Sequence, residues 1–122
     1  MMGGDFAPGS TIRGSILARQ SLPGHIEIML VGDRDILSRY TDEHELDISG
    51  ISIRHTSDFV GMEDHPLRAF REKSEASLFK GQQLVLEGEL DGFCSAGNTG
   101  AMLVGALQII NSIPGIIRPA IA

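Results

Sequence analysis

Apolar residues recur at two spacings along this chain, and the spacing changes where glycine and proline fall. Over residues 10–20, Ile12, Ile16 and Leu17 repeat at helical spacing behind Ser10 or Thr11 as a cap, which predicts a helix. Pro23-Gly24 ends it. Residues 25–31 begin alternating and finish continuously apolar (Met29-Leu30-Val31), the pattern of a strand covered on both faces. Asp33 then caps a short helix reaching Tyr40. A second strand is predicted over 48–55, with Ile51 and Ile53 on one face. Pro66 opens a helix at a position where proline is tolerated, with Leu67, Ala69 and Phe70 as its apolar stripe. Residues 74–87 predict another helix, carrying Leu78, Phe79, Leu84, Val85 and Leu86. Gly81 weakens it by roughly 1 kcal/mol relative to alanine. A third strand is expected over 90–95, a last helix over 99–111, and the start of a fourth strand over 120–122.

Strands alternating with helices predict an α/β fold with a mainly parallel sheet covered on both faces. Residues 1–9 read as a glycine-rich loop, so the sequence starts in a loop and stops at an apparent strand. Three short strands are few for such a sheet. The expectation is therefore an incomplete fragment, residues 1–122 being the N-terminal part of a larger α/β domain. By itself it is expected to be inactive and to self-associate through unprotected sheet edges.

Composition narrows the functions. Of the 122 residues 42% are hydrophobic and 21% charged, which is globular rather than disordered. The net charge is −6, no basic face is present, aromatics are 5% and Trp is absent, so a nucleic-acid partner is not expected. Cys94 is the only cysteine; in an apolar strand it reads as a buried small hydrophobe in a reducing, cytoplasmic setting. The greasiest stretch, 101–117, is interrupted by Gly105, Gln108, Asn111 and Pro114, which argues against a membrane span. His25, His44, His55 and His65 lack metal-ligand spacing, and no metal is expected.

The chemistry concentrates in Cys94-Ser95-Ala96-Gly97-Asn98-Thr99-Gly100-Ala101. A strand, a glycine turn and a helix start in that order leave main-chain N–H groups unpaired at the positive end of a helix. Gly97 and Gly100 keep side chains off an approaching anion, Thr99 can cap, and Ser95 and Asn98 add donors. The other reading is a tight strand-to-helix turn whose glycines serve packing. A second glycine segment, Met2-Gly3-Gly4-Asp5-Phe6-Ala7-Pro8, reads either as part of the same crevice, which Asp5 would face as Asn98 does, or as a loose terminus. Arg68, Arg71 and Lys73 form a basic cluster that reads as a phosphate attractor or a solvated helix face. Asp58, Glu63 and Asp64 read as capping and solvation residues before Pro66. Neither glycine run matches a dinucleotide fingerprint or a P-loop, and no nucleophilic-serine element is present.

These segments, in this order, resemble the PlsX family, the phosphate acyltransferases of bacterial phospholipid synthesis. The resemblance rests on Met2 to Pro8, Leu30-Val31-Gly32-Asp33, His55, and Met62-Glu63-Asp64-His65-Pro66 with Ala69, Arg71, Lys73 and Ser77. It rests further on Ser95 to Ala101 and on Ile113-Pro114-Gly115-Ile116 with Arg118-Pro119-Ala120. The family's short strand before Met-Gly-Gly-Asp has no counterpart here, Ala76 replaces a usual hydroxyl residue, and the family's proteins are much longer. The resemblance implies a three-layer α/β/α fold related to phosphotransacetylases and to isocitrate- and isopropylmalate-type dehydrogenases. It implies an enzyme that converts acyl-[acyl carrier protein] and inorganic phosphate to acyl phosphate, without a cofactor. It also implies a homodimer at the inner membrane surface, working ahead of a glycerol-3-phosphate acyltransferase. On this reading Ser95, Gly97, Asn98, Thr99 and Gly100 bind phosphate and Asn98 and Lys73 are the catalytic candidates. Gly3, Gly4, Asp5, Arg71 and Ser77 support them. Two alternatives stay open: a non-catalytic phosphate- or nucleotide-binding module, and a phosphotransacetylase-like enzyme using a coenzyme A thioester.

Overall fold

The computed structural model describes residues 1–117. Five helices, α1 (Gly9–Ser21), α2 (Arg34–Glu43), α3 (Pro66–Glu72), α4 (Ser77–Leu86) and α5 (Thr99–Gly105), accompany two strands, β1 (Ile28–Gly32) and β2 (Ile51–His55). The strands pair in parallel from Ile28 opposite Ile51 to Gly32 opposite His55, with α2 as the crossover that parallel pairing requires. The chain is thus α/β with a small parallel sheet. Among the described residues no helix is long and apolar enough to cross a membrane.

Two apolar clusters divide the molecule. Ile12, Leu30, Leu37 and Ile51 join α1, the sheet and α2. Val60, Ala69, Ala76, Leu78, Phe79 and Ala101 join the loop after β2 to α3, α4 and α5. Phe79 is fully buried, with Phe70 edge-on to it at 5.2 Å between ring centroids; burying such a ring stabilises by about 1.5–3 kcal/mol. The second cluster is the platform for the glycine turn.

Local chemistry explains most boundaries. Asp33 caps α2 as expected, its Oδ1 accepting from the Asp35 and Ile36 amides at 2.9 and 3.1 Å. Pro66 occupies the first turn of α3. The helix expected from residue 74 starts at Ser77, because residues 74–75 form a turn and Ala76 is held extended in a bridge with Asp58, whose carbonyl accepts from the Ser77 N–H at 3.0 Å. Leu67, expected in the apolar stripe of α3, is 50% exposed, and Ala69 makes the buried contact.

Three expectations are corrected. Residues 90–95 form no strand, because a strand needs a ladder partner and a cleft of about 230 Å³ separates Leu90 and residues 92–94 from β1. Cys94, expected buried, is exposed in consequence. The last helix is α-helical only to Gly105 and continues as a π-helical turn, Ala106–Ile110. There Gln82 of α4 presses on Gly105 and donates from Nε2 to the Met102 carbonyl at 2.9 Å, so a side chain competes within the helical ladder. The strand expected over 120–122 lies outside the described residues.

Candidate functional site

Asn98, rather than Thr99, caps α5. Its Oδ1 accepts from the Ala101 amide at 3.2 Å. Its Nδ2 donates to three carbonyls of the preceding loop, those of Gly61, Met62 and Asp64, at 3.2, 3.1 and 3.0 Å. The residue is 8% exposed, so this side chain is committed to holding two segments together. Sequence spacing gave no sign of this, since the three carbonyls lie more than thirty residues away.

Gly97 and Gly100 both serve close packing. Gly97 has φ +134°, a conformation side chains rarely adopt, and a Cβ there would stand 2.9 Å from Met62 Sδ. A Cβ at Gly100 would stand 2.6 Å from Pro66 Cγ. The first residues of α3 and α5 therefore meet, bringing two positive helix ends together. Thr99 is exposed at the first position of α5. Among the described residues, the Thr99 and Gly100 amides have no main-chain or side-chain acceptor. At α2, by contrast, Asp33 takes two amides and His55 Nδ1 accepts the Arg34 amide at 3.2 Å.

The glycine segments are brought together. Gly3 lies directly against the Gly97 carbonyl, and a Cβ at Gly4 would stand 3.0 Å from that of Ala96. Ser95 folds onto its own turn, its Oγ donating to the Gly97 carbonyl at 3.2 Å. Gly3, Ser95 and Ala96 line a cleft of about 400 Å³ with Ser10, Thr11 and Ser15. A larger cleft of about 530 Å³ is lined by Glu27, Glu89 and Asp91; three carboxylates make it a poor place for an anion. Asp5 is exposed, so the contact between the glycine segments is made by Gly3 and Gly4.

Lys73 follows α3 and donates to Asp64 Oδ2 at 2.6 Å and to the Phe59 carbonyl at 3.3 Å. The hydrogen bond to Asp64 raises the Lys73 pKa, and its counterpart lowers that of Asp64, which the Gly61 amide lowers further. Arg68 pairs with Glu72 one turn along α3. Arg71 is exposed in the last turn of α3, and Ser77 is buried at the start of α4. Asp64 is the residue the sequence reading undervalued: it does not cap α3, but pins the loop to Lys73.

A sequence model of the family described as "Fatty acid synthesis protein" matches residues 1–122. Curated relatives called "Phosphate acyltransferase" align over nearly the whole chain. That of Clostridioides difficile (strain 630) is 38% identical over 120 residues, 98% of this chain and 35% of the relative. That of Desulforamulus reducens is 45% identical over 121 residues, 99% of this chain and 35% of the relative. That of Thermoanaerobacterium thermosaccharolyticum is 40% identical over 99% of this chain and 34% of the relative. The chain thus spans about a third of the length of these relatives.

Proposed function

The chain belongs to the family described as "Fatty acid synthesis protein", and from that premise we propose that it is the N-terminal part of a phosphate acyltransferase. The reaction is attack by a phosphate oxygen on the carbonyl carbon of an acyl carrier protein thioester. A C–O bond forms, the C–S bond breaks, and the departing sulfur takes a proton, giving acyl phosphate and free carrier protein. The protein's task is to bind phosphate, orient it and strip its water. A thiolate leaves readily, and preplaced donors stabilise the negative charge that grows on the carbonyl oxygen.

The observation that carries this reading is the pair of unpartnered amides, Thr99 and Gly100, where the starts of α3 and α5 meet. They are the proposed phosphate donors. Gly97 and Gly100 let the turn close on Met62 and Pro66, Gly3 and Ser95 line the neighbouring cleft, and Gly4 packs on Ala96. Asn98 shapes the corner through its four hydrogen bonds. Arg71 and Asp5 are exposed, Ser77 is buried at the start of α4, and none of the three is assigned a contact with phosphate. The reading carries with it a three-layer α/β/α domain completed by the rest of the enzyme and a homodimer peripheral to the inner membrane face. Its product passes to a glycerol-3-phosphate acyltransferase.

The test uses the enzyme that carries this chain, with acyl carrier protein and coenzyme A thioesters, and traps acyl phosphate with hydroxylamine. Phosphate-dependent product from the carrier-protein thioester is expected, and preference for the coenzyme A thioester favours a phosphotransacetylase-like enzyme instead. Thr99→Pro removes one amide at a helix position that accepts proline, after a residue already extended at ψ 128°. Losing a hydrogen bond to a charged group costs about 1.5–3 kcal/mol, so KM for phosphate should rise roughly ten- to hundred-fold. Thr99→Ala, which keeps the amide, should change it little. A Thr99→Pro enzyme with the parent KM contradicts the assignment.

A further inference from the structure

We propose that Asp64 is a positioning residue for this reaction, acting through Lys73 and the loop 59–64 on Asn98; this rests on the phosphate reading above. The contacts form a closed circuit around α3. Pro66, at the start of α3, packs on Gly100 of α5. Asn98 joins α5 to the Gly61, Met62 and Asp64 carbonyls. The Asp64 carboxylate binds the Gly61 amide at 2.8 Å and the Lys73 ammonium at 2.6 Å, and Lys73 caps the far end of α3. Lys73 also reaches the Phe59 carbonyl and lies 5.9 Å from the centre of the Phe59 ring. One carboxylate therefore fixes a loop whose carbonyls fix Asn98, and Asn98 sets where α5 begins.

This assigns Lys73 a different part from that of a group touching substrate. Its ammonium is held by the Asp64 carboxylate and the Phe59 carbonyl, while Asn98 takes the Gly61, Met62 and Asp64 carbonyls of the same loop. Both side chains of the ion pair are about a third exposed, at 33% and 35%. Such a pair adds little to global stability. Placement is the larger effect, because small displacements of bound groups cost rate steeply.

The test is steady-state kinetics of the phosphate acyltransferase carrying Asp64→Asn, Lys73→Met, both together, or Lys73→Arg, with the folded fraction checked by denaturation. Asp64→Asn and Lys73→Met should each raise KM for phosphate by about tenfold at constant folded fraction, a shift that simple loss of folded enzyme does not produce. The double variant should be no worse than the stronger single, since one interaction is removed. Lys73→Arg should keep KM within about threefold by preserving the ion pair. An unchanged KM in Asp64→Asn overturns the inference. So does a Lys73→Met enzyme that loses kcat outright while Asp64→Asn stays normal, for then Lys73 touches substrate itself. A wild-type enzyme that makes no acyl phosphate overturns the phosphate reading instead.

Discussion

Asn98 shows how far one side chain can be spent on structure. It makes three donated bonds to carbonyls and one accepted bond from an amide. Asn98→Ala removes all four, the cap of α5 included, so unfolding free energy should fall by about 2–4 kcal/mol in denaturant titration. Asn98→Asp keeps the cap but turns a carboxylate toward three carbonyls, and should be at least as destabilising at neutral pH. Gly100→Ala should cost about 1–3 kcal/mol through the contact with Pro66. Cys94 offers a direct check at the same scale. Being exposed, it should react completely with a thiol reagent in the native chain, whereas protection until unfolding would put it back in a buried strand. The sequence marked 95–100 as special through its glycines and polar residues. Whether those residues face a ligand or each other depended on partners far away in the chain.

Among the elements, the loop 59–64 changed most in meaning. In the sequence its acidic residues look like solvation before Pro66; in space Asp64 is its anchor. Because the folded-state pKa of Asp64 lies below the ordinary 3.8, its contribution to stability is fully present above that value. It is lost as pH falls through the lower folded value. Because the pair is partly exposed its contribution is small, so Asp64→Asn should flatten the acid limb of a stability profile below about pH 4 only slightly, and a steeper acid limb than the parent's would contradict the lowered pKa. Elements governed by local chemistry were legible: the Asp33 cap, the Pro66 start and the apolar finish of β1. Elements governed by partners were not. Residues 90–95 read as a strand but have no ladder partner, and Gln82 acts on α5 from another helix.

For the whole molecule, the described sheet has two strands, and β1 is paired only with β2. Along its other edge the Met1 amine donates to the Val31 carbonyl at 2.8 Å, and clefts line the rest. Two-stranded sheets are weak alone and open edges recruit other strands. The 122-residue chain should therefore sediment as a concentration-dependent mixture at tens of micromolar, and a concentration-independent monomer would contradict this. By itself the sequence determined the α/β class, the parallel pairing of two apolar runs, the helix at Pro66 and the family. All of these follow from periodicity, caps and motif order, which are local properties of the chain. Tertiary structure alone decided that Asn98 is a brace, that Asp64 holds Lys73, that Gly100 makes room for Pro66, and that Cys94 is exposed. Each is a contact between segments separated along the chain, and such contacts exist only once the chain has closed on itself.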